Sequence, residues 1–263
     1  MKTERRLMNL NFPELAAVGR YKSSSQKIRV LSEAWAERNL FCPVCGNPHL
    51  GHYGANRPVA DFFCENCNSD FELKSKRGDL GEKISDGAYG AMISRVNSNR
   101  NPNFFFLSYL ENRVRDLLFV PNYFFTPSII EKRNPLSQTA RRAGWVGCNI
   151  NISKIPSAGK IRIVSDGNSA GVAGVLASAA RAKNLFIGNV GARGWLLDVL
   201  RCLEKIEGGE FSIDQVYGFS GHLKSLHPQN NFVREKIRQQ LQILRDRGLL
   251  RFKSRGKYEL VAV

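Results

Sequence analysis

The 263-residue chain lacks any long hydrophobic run. Its most apolar-leaning stretch, Phe104–Leu107 with its neighbours, is far shorter than the roughly 20 residues that cross a bilayer, so no membrane span is expected. The basic start, Met1–Leu10, is not followed by the apolar segment of a secretory signal. A soluble, cytoplasmic protein is therefore expected, without membrane association. Internal repeats are absent too. Acidic residues are scarce: 23 Asp and Glu stand against 39 Lys and Arg, a net charge of +16. Such an excess calls for a polyanionic partner, with nucleic acid first and an acidic protein or anionic membrane behind it.

What is present begins with a 43% hydrophobic content, enough for a packed core and against disorder. Six cysteines in a reducing compartment point to metal rather than disulfides. Cys42-x-x-Cys45 and Cys64-x-x-Cys67, with 18 residues between the pairs, have the spacing of a four-cysteine structural zinc site. Two residues between paired thiolates let both face one tetrahedral ion, and Gly46 suits the turn after the first pair. His49 and His52 lie between the pairs as alternative ligands. Cys148 and Cys202 have no partner at ligand spacing and read as core residues.

Short strands are expected at Ala60–Phe63 and Asp70–Lys74, so the second cysteine pair forms the turn of a β-hairpin. Across it lie Asp61, ten residues, and then Glu72-Leu73-Lys74. Alternation along a strand puts Glu72 and Lys74 on one face, with Phe71 and Leu73 towards the core. Two carboxylates and a lysine gathered together repel unless a divalent cation joins them. Asp61 and Glu72 as magnesium ligands, with Lys74 orienting a water, suit phosphodiester hydrolysis. By itself Pro58-x-x-Asp61-x10-Glu72-x-Lys74 is a moderately specific pattern, and solvent-exposed charges on a strand are its plain alternative.

Elsewhere, Ser23–Leu40 and Ile84–Val96 are predicted as helices. Strands are predicted at Asn103–Tyr109, Asp116–Val120, Trp145–Ile152 and Lys160–Val164. From Asp166 to Asn184, 11 of 19 residues are Ala, Gly or Ser, which reads as a partly helical connector or an Ala-rich helix docked on the core. Helices at Trp195–Ile206, after Ser212, and at Phe232–Asp246, then strands at Leu249–Lys253 and Lys257–Val261, follow the order of a winged helix-turn-helix. The fold class is thus α/β, a mixed sheet with flanking helices and an embedded zinc site, plus that C-terminal domain. The division expected is 1–185 and 186–263.

Asn56-Arg-Pro-Val-Ala-Asp61-Phe-Phe-Cys64 and Phe71-Glu-Leu-Lys-Ser-Lys76 resemble the DpnI family of methyl-directed restriction endonucleases, in the PD-(D/E)XK nuclease superfamily. So do Tyr21–Lys27, Asp86–Tyr89, Asn101–Phe106, Thr139–Cys148, Glu235–Leu241 and Arg255–Tyr258, in order along almost the whole chain. The resemblance implies a restriction-endonuclease-like catalytic domain, a winged helix, and cleavage of duplex DNA at G-A-T-C methylated on the adenine amine. It places Asp61, Glu72 and Lys74 on the family's catalytic positions and adds the Leu73 backbone carbonyl as a magnesium ligand. The Ala/Gly-rich 166–184 segment and the longer basic start depart from the family pattern.

DNA contacts are expected from Arg141, Arg142 and Trp145, in a Gly-containing segment where arginine can meet guanine edges and an apolar ring a methyl group. For Trp145 a core position on a strand is the alternative. Arg234, Lys236 and Arg238 lie off the apolar stripe of the last helix, and Arg255 and Lys257 flank the hairpin turn. The span Asn230–Lys257 carries nine basic and two acidic residues, a phosphate-binding face or, otherwise, a solvated one. A monomer with no required protein partner is expected. A repair or resolvase-type nuclease on the same core, and a non-catalytic zinc-containing regulator, are the competing functions.

Overall fold

A computed structural model of the chain describes residues 8–14, 16–54, 60–98 and 100–261. Pro58 of the acidic motif, with Asn56, Arg57 and Val59, and Met1–Leu7 of the basic start lie outside the described residues. The elements, in order, are α1 (Ser24–Asn39), β1 (Gly51–His52), β2 (Phe62–Phe63), β3 (Asp70–Arg77), β4 (Lys83–Ala88), α2 (Tyr89–Asn97), β5 (Asn103–Leu110), β6 (Arg113–Val120), β7 (Ile130–Lys132) and β8 (Gly147–Asn151). There follow β9 (Ile161–Ser165), β10 (Asn168–Ser169), α3 (Val172–Lys183), α4 (Val190–Leu203), β11 (Glu210–Ser212), α5 (Ile213–Tyr217), α6 (Ser220–Leu226), α7 (Val233–Asp246), β12 (Leu250–Ser254) and β13 (Lys257–Leu260). They fall into two compact units. One comprises Met1–Ile84, Pro102–Asn122 and Lys160–Ala180; the other comprises Ser85–Asn101, Tyr123–Gly159 and Arg181–Val263.

The first unit is built on a mixed sheet of order β1-β2-β3-β5-β6-β9-β10. β3 and β5 run parallel, with Glu72 opposite Phe104 and Lys74 opposite Phe106, and the flanking pairings are antiparallel. A parallel pair needs a long crossover, and residues 78–102 supply it. β5 is buried on both faces, which is why three consecutive phenylalanines can occupy it. Phe71 stacks on Phe105 at 5.2 Å, and Phe119 closes on both. The turn from β5 to β6 is tight: Glu111 (φ 47°) and Asn112 (φ 61°) are both left-handed, the geometry whose twist matches a two-residue hairpin. α1 lies against β3, where the Ser75 hydroxyl donates to Ser32 Oγ at 2.7 Å. Trp35 is fully buried and donates its indole N–H to the Asn9 carbonyl at 2.6 Å.

In the second unit a small sheet of order β4-β8-β7 accompanies α2. α4, β11, α5, α6, α7, β12 and β13, with strand order β11-β13-β12, make the winged helix-turn-helix expected from the element order. Ser212 caps α5 in a reciprocal capping box with Gln215. Ile237, Leu241 and Leu244 form the buried stripe of α7.

Two expectations change, and one left open is decided. Ile84–Val96 is not one helix: its first third is β4, with Ile84 buried between exposed neighbours, and the helix begins only at Tyr89. Ser85, Asp86 and Gly87 are weak helix formers, and the pairing of this segment with β8 outweighs the apolar spacing. The strand placed at Trp145–Ile152 begins at Gly147, so Trp145 precedes it and is half-buried rather than core. The small-residue segment after Asp166 contains a full helix, α3, in keeping with the high helix propensity of alanine. Its Val175 and Ala182 are buried. Among the described residues no helix is long and apolar enough to cross a membrane.

Phe105 is fully buried between Phe71 and Phe119. Phe105→Ala should cost about 3–5 kcal/mol, read as a lowered urea midpoint at an unchanged slope.

Candidate active site and metal centre

The two cysteine pairs sit in knuckles of the same local design. Cys42 N–H donates to the Asn47 carbonyl at 2.8 Å and its own carbonyl accepts from Gly46 N–H at 2.9 Å. Cys64 N–H donates to Ser69 O at 2.9 Å while its carbonyl accepts from Asn68 N–H at 2.8 Å. The fourth residue after the leading cysteine must then turn left-handed. Gly46 does so at φ 82° and Asn68, the side chain that tolerates this region best, at φ 55°. A Cβ on Gly46 would also stand 3.1 Å from Leu176 Cδ1 of α3.

Together the knuckles bring the sulfurs of Cys42, Cys45, Cys64 and Cys67 within 4.8 Å of one another. Cys42–Cys67 and Cys45–Cys64 are each separated by 3.6 Å. Thiolates at about 2.3 Å from a tetrahedral zinc stand roughly 3.8 Å apart, so this donor set fits zinc and can hold it. Burial pushes the Cys42 thiol up. Cys45 is lowered to about 6: burial opposes ionisation, but the Asn66 side chain, the Asn47 backbone and the neighbouring thiols outweigh it. His52 does not join the cluster; its Nε2 faces Glu33 at 3.8 Å. Cys148 and Cys202 are buried as core residues.

The second knuckle is the turn between β2 and β3, which pair with Phe62 opposite Phe71 and Phe63 opposite Asp70. Asp61 precedes β2 by one residue and continues the ladder by donating its N–H to Phe71 O at 3.0 Å. Its carboxylate Oδ2 accepts from Leu73 N–H at 2.8 Å. Since N–H and C=O of one strand residue project from the same edge, the Leu73 carbonyl also faces the Asp61 side. Glu72 and Lys74 share the opposite face from the buried Phe71 and Leu73, and Lys74 Nζ lies 2.5 Å from Glu72 Oε1. Burial raises the Asp61 pKa; the Leu73 N–H pulls it down, the Glu33 charge pushes it up, and Lys74 and Arg29 pull it down.

Glu33 and Arg29, one turn apart on α1, were not anticipated. Arg29 binds Glu33 Oε1 at 2.6 Å and lies 3.9 Å from Asp61 Oδ1. The signal was a charged i, i+4 pair on the helix preceding the motif, but only α1 packing on β3 brings it here. The site so formed gathers three carboxylates, Glu33, Asp61 and Glu72, with two cations.

Arg141, Arg142 and Trp145 lie in the long β7–β8 connection, in the second unit. Trp145 N–H closes on Arg142 O at 3.0 Å, and the Arg142 guanidinium lies 4.6 Å from the indole centroid. The indole covers Gly147 so closely that a Cβ there would come within 2.8 Å of it. Arg141 and Arg142 are exposed. In the winged helix Arg234 and Arg238 stand one turn apart on α7, their guanidiniums 5.1 and 5.8 Å from the Tyr217 ring centroid. Lys236 reaches Gln239 Oε1 at 2.8 Å. Arg255 and Lys257 are exposed at the β12–β13 turn, which Gly256 makes with φ 73°. The proposed readers thus belong to one unit and the acidic site to the other.

Residues 8–187 match the family described as DpnI, a Dam-replacing family, and residues 191–260 match its C-terminal Dam-replacing HTH domain.

Purified chain should contain one zinc per molecule, and Cys64→Ser should abolish it, as read by elemental analysis; retention of full zinc by the variant would refute the site. Asp61 supplies a pH test. Its folded pKa is raised, so its ionisation disfavours the folded state as pH climbs past the unfolded value of about 3.9. In magnesium-free buffer Asp61→Asn should therefore melt at the same temperature as the parent chain near pH 3.5. It should melt progressively higher than the parent as pH rises, until the folded pKa is passed.

Proposed function

The chain belongs to the Dam-replacing DpnI family, a restriction-type nuclease family with a DNA-binding helix-turn-helix domain, and on that basis we propose that it is a methylation-dependent type II restriction endonuclease. In this reading it hydrolyses duplex DNA at G-A-T-C when the adenine carries a methyl on its exocyclic amine. Residues 1–185 carry the cutting machinery, of the PD-(D/E)XK type, and 186–263 the winged helix. The protein acts as a monomer.

The observation that carries the reading is the half-buried Asp61 carboxylate, held on the Leu73 N–H beside the Glu72–Lys74 pair. A carboxylate whose burial disfavours its charge, with a second carboxylate and a carbonyl edge nearby, is a hard-oxygen donor set that suits magnesium. Asp61, Glu72 and the Leu73 carbonyl would hold the ion, which when bound supplies charge neutralisation at the phosphate and a more acidic water. Lys74, paired with Glu72, donates to the attacking water or to a phosphate oxygen and orients it. Arg29 offsets part of the charge of Glu33 and Asp61 before substrate arrives. The zinc is structural, because four thiolates leave it no open position.

On the reading side, Arg141 and Arg142 meet guanine edges or phosphates, and Trp145 offers an apolar face to a methyl group. Arg234, Lys236, Arg238, Arg255 and Lys257 bind backbone phosphates and set the register of the winged helix on the duplex.

The test is one set of plasmid digests: adenine-methylated, hemimethylated and unmethylated, each with and without magnesium. Cutting is expected only with magnesium and on methylated plasmid, and Lys74→Ala should lower its rate by about a thousandfold, about 4 kcal/mol of barrier. Equal cutting of all three plasmids would remove the methyl dependence, and a Lys74→Ala enzyme at full rate would remove the catalytic assignment.

A further inference from the structure

A phenyl ring stands in water at the point where a helix-turn-helix meets its duplex. Phe232 immediately precedes α7 and is 71% exposed. In the winged-helix order α7 is the recognition helix, and it is the N-terminal residues of that helix that reach base edges in the major groove. Most of that aromatic side chain is left uncovered by its own unit, and the basic side chains Arg234, Lys236 and Arg238 follow it along the helix.

The turn beneath it is held tightly. Lys224 of α6 spends all three ammonium hydrogens inside the protein, on Pro228 O at 3.0 Å, Asn230 O at 2.8 Å and Asn231 Oδ1 at 3.0 Å. Asn230 Oδ1 accepts the Phe232 N–H at 2.8 Å. A lysine so engaged is not a phosphate contact; it fixes the loop that aims the ring. With both amide oxygens committed, Asn230 and Asn231 keep N–H groups as their remaining polar function, suited to an acceptor such as adenine N7.

Resting on the proposed function, we infer that Phe232 is the winged helix's reader of the adenine methyl group, with Lys224 as the positioning residue. A phenyl ring offers no donor or acceptor at its edge, so it cannot distinguish unmodified bases by hydrogen bonding. What it can sense is an apolar group on a base edge, and in methylated G-A-T-C the amine methyl adds one where plain adenine has none. With the backbone held on a clamped turn, contact orders only the side-chain torsions of the ring, which limits the cost of binding.

The test uses the full chain without magnesium and four fluorescent duplexes carrying one G-A-T-C, read by anisotropy. The adenines are methylated or not, and each form is also made with thymine replaced by uracil. Phe232→Ala should lower the preference for methylated over unmethylated duplex by about tenfold or more. Its affinity for the unmethylated duplex should stay within twofold, and Phe232→Leu should keep most of the preference. Lys224→Met should also lower the preference, with an unchanged slope of log affinity against log salt, because no phosphate contact is lost. Equal loss on all duplexes, no loss on any, or a loss that disappears with uracil would overturn the inference while leaving methyl-dependent binding in place. A parent chain that binds methylated and unmethylated duplex alike would overturn the proposed function, and this inference with it.

Discussion

The pairing of β2 with β3 is only two residues long, yet the acidic site depends on its register. Phe62 must face Phe71 for the Asp61 N–H to meet Phe71 O and for its carboxylate to reach Leu73 N–H. A slip of one residue along a strand exchanges its faces, and here it would send Asp61 towards the core and Phe62 into water. Two residues of ladder cannot hold that register alone. The knuckle closing the hairpin does so, because the Cys64–Ser69 turn fixes where β3 starts and the thiolates of the first knuckle anchor it from outside. A zinc held by the four cysteines would thereby act on the acidic site through backbone geometry.

The second constraint is electrostatic. Glu33, Asp61 and Glu72 come from α1, the approach to β2, and β3, with Arg29 and Lys74 as the cations set against them. Such an arrangement is costly to fold and is consistent with a site shaped for a cation and a phosphate rather than for stability. Most of the excess of positive charge belongs to the other compact unit, which includes the β7–β8 connection and α7.

Local pattern made much of this legible. The cysteine spacing, the alternation through Phe71–Lys74 and the apolar stripe of α7 each survive as read, because each depends on residues close in sequence. What escaped depends on partners far along the chain. β4 resembles a helix start until β8 is available to pair with it. Trp145 looks like a strand residue until the strand proves to begin at Gly147, whose missing side chain makes room for the indole. Glu33 shows in the sequence only as half of a charged i, i+4 pair, and its place beside Asp61 follows from how α1 lies on β3. Asn68, which repeats the left-handed turn of Gly46, was hidden because the two knuckles use different residues for one backbone shape.

The two compact units are interleaved in the chain, which passes between them five times, near residues 84, 101, 122, 159 and 180. Their order of completion during synthesis follows from that. The sheet bearing Asp61 cannot close until β9 and β10 have been made, long after β3, and the unit containing Trp145 waits for the last residues of the chain. A nick in either of the crossings near residues 101 and 122 would divide the strands of the large sheet between two fragments, whereas one near 180 would leave all three sheets whole. Such threading means that the sheet bearing Asp61 can close once β10 is made, while the winged helix is still to be synthesised.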